Sequence, residues 1–209
     1  MARPASDIAP RIVHAARERF LFEGVDGASL RNIAKDAGTN IGMVYYYFKT
    51  KDELFLAVVE EVYSRLLDDM RRVMAEPEPP EQRIAKLYQR VAAMSEDEFK
   101  IVRLILREAL VSSARLAGLA NRFQAGHIPL VMQLLQEGVG QQRLRSDLHP
   151  VAMMGALFVL GLMPQLARRL LSATDLSFAP LLPPAAAVAG TMFDVLLRGI
   201  GAAATSDER

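Results

Sequence analysis

Three consecutive tyrosines, Tyr45, Tyr46 and Tyr47, are followed by Lys49 and Lys51 and preceded by Ser29, Arg31 and Asn40. Phenol, ammonium and guanidinium groups donate hydrogen bonds to anionic oxygens, while serine and asparagine cap helices or bind polar edges. Tyrosines in a row are costly to expose without a polar partner at their tips. Phosphate oxygens are one such partner, and packing is the competing role. Tyr45, flanked by Val44 and Phe48, is assigned partly to the core, and Tyr46 and Tyr47 to phosphate. Bond-making chemistry has no comparable constellation. There is no cysteine, and His14, His127 and His149 are scattered. A glycine-rich phosphate loop, a nucleophile elbow, a zinc HExxH and the Glu-x-x-His pairs of a di-iron bundle are all missing. The sequence therefore predicts no catalytic residue, no metal site and no cofactor.

These side chains need elements to aim them, and nearly every segment has helical periodicity, with apolar residues three and four apart. The pattern predicts an all-α chain of about nine helices. The first runs from Ile8 to Glu23, with Gly24 at a left-handed cap and Val25 as the hydrophobic contact. The second runs from Ser29 to Asp36 and ends at Gly38, and the third from Asn40 to Tyr46. Thr50 and Glu53 form a capping box for a fourth, Lys51 to Ala75. Three short helices around a glycine turn make a helix-turn-helix, whose third helix enters a DNA major groove while the second crosses the backbone. Beyond the prolines of 76–80 a fifth helix spans Glu81–Met94. A sixth, capped by Ser95 and Glu98, reaches Ser112. A seventh, Leu116–Gly140, is bent at Pro129. An eighth starts at Asp147-Leu148-His149-Pro150 and is interrupted at Pro164. A ninth runs from Ala185 to Gly199, ahead of a frayed tail.

Residues 29–55, SLRNIAKDAGTNIGMVYYYFKTKDELF, resemble the N-terminal signature of the TetR family of bacterial regulators. The matching features are Ile33-Ala34, Gly38, Tyr45-Tyr46-Tyr47-Phe48 and Lys49-Thr50-Lys51-Asp52-Glu53-Leu54-Phe55. The resemblance covers about the first sixty residues. It implies a DNA-binding domain over 6–66 and a helical regulatory domain over 67–209. It also implies a dimeric repressor on a palindromic double-stranded operator, acting in the cytoplasm without a membrane. By this resemblance Ser29, Arg31, Thr39, Asn40, Ile41, Gly42, Met43, Tyr45, Tyr46, Tyr47 and Lys51 face DNA. Arg31 is placed to reach a guanine edge or a phosphate. Asn40 caps its helix or reads an adenine, and Gly42 permits close approach of the sugar-phosphate chain. Ile41 and Met43 depart from the family, where polar or basic residues are common, so specificity leans on thymine methyls, Arg31 and DNA shape. A net charge of +1 does not argue for nucleic acid. What counts is a local basic face, with Arg3 and Arg11 extending it along an N-terminal arm.

One helix-turn-helix reads a short half-site, so two copies must place their recognition helices roughly 34 Å apart. The last two helices are apolar nearly all round, which suits a dimer surface, and the resemblance implies an intersubunit four-helix bundle there. Met154, Leu157, Gly161, Met192, Phe193 and Leu196 are its candidate residues. The mean hydropathy of +0.14 fits a large apolar surface hidden between subunits or around a ligand. The longest apolar run, Val151–Met163, falls short of the ~20 residues that span a bilayer. A small-molecule effector is expected among the fourth to eighth helices. Its candidate contacts are Tyr63, Tyr88, Met94, Phe99, Phe123, His127, Met132 and Phe158. Charged groups are sparse there, so the ligand is apolar or amphipathic; methionine, ten in the chain, lines adaptable pockets. The resemblance implies release by population shift, with the fourth helix as lever.

Overall fold

A computed structural model describes residues 7–174 and 181–201. Arg3 and the tail beyond Gly201, assigned above to an arm and to fraying, lie outside the described residues. Ten α-helices are present among them: α1 Ile8–Gly27, α2 Leu30–Asp36, α3 Ile41–Tyr47, α4 Lys51–Met74, α5 Pro80–Ala92, α6 Glu96–Val111, α7 Ser113–Ala125, α8 His127–Gly140, α9 Pro150–Ser172 and α10 Ala185–Ile200. They form two compact units, Met1–Leu67 with Glu96–Gln124 and Asp68–Ser95 with Ala125–Arg209. A limit at Leu67 lies next to the expected boundary at residue 66, but α6 and α7 group with the N-terminal helices.

In the first unit α1 packs against α2, α3 and α6. Its interior holds Ile12, Ala16 and Phe20 of α1, Ile33 and Ala34 of α2, Val44 of α3, and Leu54, Phe55 and Val58 of α4. Local signals set the helix ends. Gly24 has φ +79°, so α1 carries a break at the residue the sequence marks as its cap. The turn after α2 is a Schellman motif: Thr39 N–H donates to the Ala34 carbonyl (2.9 Å) and Gly38 N–H to that of Lys35 (3.0 Å), with Gly38 at φ +62°. A left-handed residue closes such a turn, and glycine adopts that conformation without a Cβ penalty.

The second unit is a bundle of α5, α8, α9 and α10. Its core joins Ile84, Leu87 and Tyr88 to Val131, Leu134, Leu135, Met153, Leu157 and Leu196. The buried Tyr88 hydroxyl donates to the Leu157 carbonyl at 3.1 Å, which satisfies the polar tip. Gly138 lies where a Cβ would come within 2.6 Å of the Leu144 side chain, so the approach of the 144 loop to α8 excludes a larger residue.

Two proline expectations are corrected. The helix expected over 116–140 is two helices, parted at Gly126 (φ −113°, ψ −106°), not at Pro129. Pro129 falls in the first turn of α8, where a missing N–H costs nothing. Pro164 does not interrupt α9, which continues to Ser172. Its packing on α5, α8 and α10 outweighs the loss of one backbone donor. At 23 residues α9 is thus long and apolar enough to cross a membrane by length and composition, and the shortness of its apolar run no longer speaks to that question.

Candidate nucleic-acid interface

Each short helix is started by a side chain. Ser29 Oγ accepts from Asn32 N–H (3.5 Å), and Asn40 Oδ1 from Met43 N–H (3.1 Å). Such caps satisfy amides that a helix's first turn leaves free. They also narrow what these residues can offer a ligand. Ser29 keeps its O–H as a donor. Asn40 keeps its two amide hydrogens and the second lone pair of its capping oxygen for another partner. Gly42 is exposed, and a Cβ there would sit 3.1 Å from the capping Asn40 oxygen, so the bare backbone protects the cap as well as leaving surface open.

On α3, Val44 is buried, Ile41, Met43 and Tyr47 are half-buried, and Tyr45 and Tyr46 are 49% and 69% exposed. The assignment of Tyr45 to the core is corrected. The inward direction is taken by Val44, and the next residue along a helix turns about 100° away. Tyr46 meets Tyr47 edge-on, with ring centroids 5.1 Å apart. Thr39 is half-buried in the α2–α3 turn. The α4 start is a capping box with one shift: Thr50 Oγ1 accepts from Glu53 N–H (3.0 Å), while Glu53 Oε2 reaches back to Lys49 N–H (2.8 Å), one residue before the cap.

Charge is sorted by position. The α1 arginines have acids: Arg11 with Asp7 (3.7 Å), Arg17 with Asp97 (3.3 Å), and Arg19 with Asp36 and Glu23 (2.7 Å each). The Arg19 hydrogen bond holds the Asp36 carboxyl below the usual carboxylate range. The side chains of Arg31, Lys35 and Lys49 are exposed and have no ion pair among the described residues. The α1 arginines are thus paired with acids while these three cations stay exposed, so net charge of the whole chain says little about this region. Arg11, counted on a basic face from sequence, is half-buried beside Asp7 instead.

Lys51 donates from Nζ to the Asp26 carbonyl at 3.0 Å, which leaves two of its three ammonium hydrogens for another acceptor. A cluster that sequence reasoning missed lies behind it. Arg115, on the first turn of α7 and 4% exposed, forks onto Asp26 (2.8 and 2.9 Å), reaches Asp52 Oδ1 (3.1 Å), and lies 3.1 Å from Glu108 through Nε. Glu108 in turn accepts from Val25 N–H (3.3 Å) and Arg107 Nε (3.0 Å). The Arg115 hydrogen bonds hold Asp26 below the usual carboxylate range. Its partners Asp52 and Asp26 are 63 and 89 residues distant in sequence, and no local pattern announces them.

The C-terminal candidates divide. Leu157, Gly161 and Leu196 are buried in their own unit, and Met154, Met192 and Phe193 are half-buried. The outward apolar stripe of α9 and α10 is instead Val151, Gly155, Phe158, Val159, Gly190 and Val195. Phe158, 49% exposed, joins that stripe rather than an interior lining. Of the other proposed ligand contacts, Tyr63, Phe99 and Phe123 are in the first unit, and Tyr88, Met94, His127 and Met132 in the second. Tyr63 and Phe123 pair at 5.5 Å, with the Arg122 guanidinium 5.1 Å from the Tyr63 ring. Tyr88 meets Phe193 at 6.1 Å, and burial pushes its phenol pKa up. Burial pushes His127 down. Among the described residues no three His, Cys, Asp or Glu gather as a metal site would require.

A capped three-helix N-terminal domain with an exposed tyrosine-bearing third helix defines the helix-turn-helix class. The sequence model described as "Bacterial regulatory proteins, tetR family" matches residues 12–58. The chain is 28% identical over 90 residues to the HTH-type transcriptional regulator PksA of Bacillus subtilis, covering 43% of this chain and 44% of that one. It is 31% identical over 86 residues to the HTH-type transcriptional repressor NicS of Pseudomonas putida, 41% of each. It is 21% identical over 138 residues to the B. subtilis fatty acid metabolism regulator protein, 66% of this chain and 71% of that one. The match thus spans less than half the length of PksA and of NicS. Among solved structures, B. subtilis FadR in complex with stearoyl-CoA aligns with TM-score 0.71 at 19% identity, over 91% of this chain and 98% of that one. Salmonella enterica GusR aligns with TM-score 0.72 at 18% identity, over 95% and 97%. Over residues 12–58 the chain is similar to the TetR family of bacterial regulatory proteins, and the relatives it matches there are HTH-type transcriptional regulators.

Proposed function

We propose that the chain is a DNA-binding transcriptional regulator: a homodimer that represses from a palindromic operator in the cytoplasm and is released by an apolar or amphipathic small molecule. One observation carries the DNA-binding part. Tyr45 and Tyr46 of α3 are exposed, and so are Arg31 and Lys35 of α2 and Lys49 after α3, cations without acid partners among the described residues, while Arg11, Arg17 and Arg19 of α1 are paired. Tyr46 and Lys51 then bind phosphate and set the depth of α3, and Arg31 reaches a base edge or a phosphate. Ile41 and Met43 offer apolar contact to thymine methyls.

The outward stripe of α9 and α10 supports the dimer. Val151, Phe158 and Val159 of α9 and Val195 of α10 are each about half exposed, and such an apolar stripe favours a cover. A second copy supplies one, with small Gly155 and Gly190 permitting close approach. For the effector, two neighbours point to acyl chains: one is named a fatty acid metabolism regulator, and one was solved with stearoyl-CoA. A long-chain acyl thioester fits the expected amphipathic class, and α4, continuous from Lys51 to Met74, is the lever of release.

Selection of genomic fragments by the purified protein, followed by footprinting, tests the reading. The expected footprint is two-fold symmetric, with half-sites about one helical turn apart, and is lost on adding a long-chain acyl-CoA. Recovery of no preferred sequence would overturn the regulator reading. A footprint indifferent to acyl-CoA would overturn only the effector class.

A further inference from the structure

We infer that Arg115 is a positioning residue for DNA binding, fixing Lys51 in its phosphate-contacting position through the Asp26 turn. The inference rests on the reading of Lys51 as a phosphate contact. Lys51 is flanked by two carboxylates, Asp26 and Asp52, that would repel a phosphate and draw its ammonium aside. Both are engaged from behind by one guanidinium, which takes Asp26 through two nitrogens and Asp52 through one. With the two acids committed, the Lys51 ammonium rests on the Asp26 carbonyl, a neutral acceptor on the residue Arg115 holds. The order is therefore Arg115, Asp26 carboxylate, Asp26 carbonyl, Lys51 Nζ.

The guanidinium is itself fixed. Arg115 is 4% exposed, its backbone N–H donates to Ser112 Oγ (3.3 Å) at the α6–α7 junction, and the buried Glu108 faces its Nε. Glu108 also accepts from Val25 N–H, so the turn carrying Asp26 is tied at two neighbouring residues. A planar fork matches this layout of three carboxylates in a way a lysine's single ammonium cannot. Positioning, not charge alone, is what the arginine contributes.

The test is fluorescence anisotropy with the DNA flanking the chain's own coding sequence, over a salt series. Lys51→Ala is measured in three backgrounds: wild type, Arg115→Lys and Asp26→Ala. Arg115→Lys keeps a cation opposite Glu108, and Asp26 is exposed, so the second background holds even where the first fails to fold. In wild type, Lys51→Ala weakens binding about tenfold and lowers the slope of log K against log salt by about 0.9, one phosphate contact. Arg115→Lys and Asp26→Ala each reproduce most of that loss and slope change alone. In either background Lys51→Ala then costs less than about twofold, the non-additivity of residues acting as one unit. A role confined to holding the fold would lower affinity without this coupling. A full tenfold cost of Lys51→Ala in both backgrounds overturns the inference. No effect of Lys51→Ala in wild type overturns the phosphate reading beneath it, and absence of salt-dependent binding by wild type overturns the regulator reading as well.

Discussion

The N-terminal helices and the C-terminal pair leave different chemistry uncovered. In α1 each of Arg11, Arg17 and Arg19 has an acid, while Arg31, Lys35 and Lys49 have none among the described residues. In α9 and α10 the uncovered groups are apolar: Val151, Phe158, Val159 and Val195. Unpaired cations attract a polyanion over a Debye length and are weakened by salt. An apolar stripe acts only at contact and is little affected by salt. On the proposed reading the two surfaces serve different partners, DNA for the first and another copy of the chain for the second, and substitutions in one should leave the other's partner unaffected.

The largest effects come from the two interiors. Phe20→Ala in the first unit is expected to cost about 3–5 kcal/mol and Leu134→Ala in the second about 2–5 kcal/mol, since each removes a fully buried side chain. Thermal unfolding reads both, and a shift of either midpoint by less than a degree would contradict the core assignment. Next comes the stripe. Val159→Glu with Val195→Glu places charges at the proposed subunit contact, and unpaired buried charge costs about 3–5 kcal/mol. Sedimentation should show the wild type as the proposed dimer and the variant as monomer, with the helical content kept. A variant that sediments as wild type would remove this face from the interface.

Smaller effects separate the turn from the surface. Gly38→Ala forces a Cβ into a left-handed backbone at φ +62° and should destabilise by about 1–2 kcal/mol. Acidification gives the mildest change. Asp26 and Asp36 have carboxyl pKa values held down by arginine hydrogen bonds. Their stabilisation is present above the unfolded value near 3.9 and is lost as pH falls toward the lowered folded values. His127, lowered by burial, loses stability earlier, as pH falls below about 6.5, because the fold prefers its neutral form. A His127→Asn variant should flatten the pH 5–7 part of the stability profile and leave the acid limb. An unchanged profile would show that His127 is not what titrates there.

What the sequence disclosed and what it hid follow from distance along the chain. Ser29, Asn40, Thr50 and Glu53 act on amides three or four residues away, and Gly24 and Gly38 on their own backbone, so a local pattern reveals them. Arg115 bonds to Asp26 across 89 residues and looks like any other helix arginine until the chain is folded. The phase of an all-apolar helix is hidden for another reason. With apolar residues on every side of α9 and α10, periodicity could not choose a face, and Leu157, Gly161 and Leu196 proved to be inward. Pro129 and Pro164 look locally like a bend and an interruption, yet a first-turn position and a well-packed helix accommodate them.

DNA binding is tested most directly at the surface of α2 and α3. Anisotropy of the wild type, Tyr46→Ala and Arg31→Ala on operator and scrambled duplexes, each at several salt concentrations, measures it. Both residues are exposed, so unfolding midpoints should not move. Tyr46→Ala should weaken binding to both duplexes by a similar factor, as the loss of a phosphate contact does. Arg31→Ala should cost about 1–3 kcal/mol on the operator and little on the scrambled duplex, as the loss of a base contact does. Wild-type affinity for both duplexes by both variants would contradict DNA binding through this face.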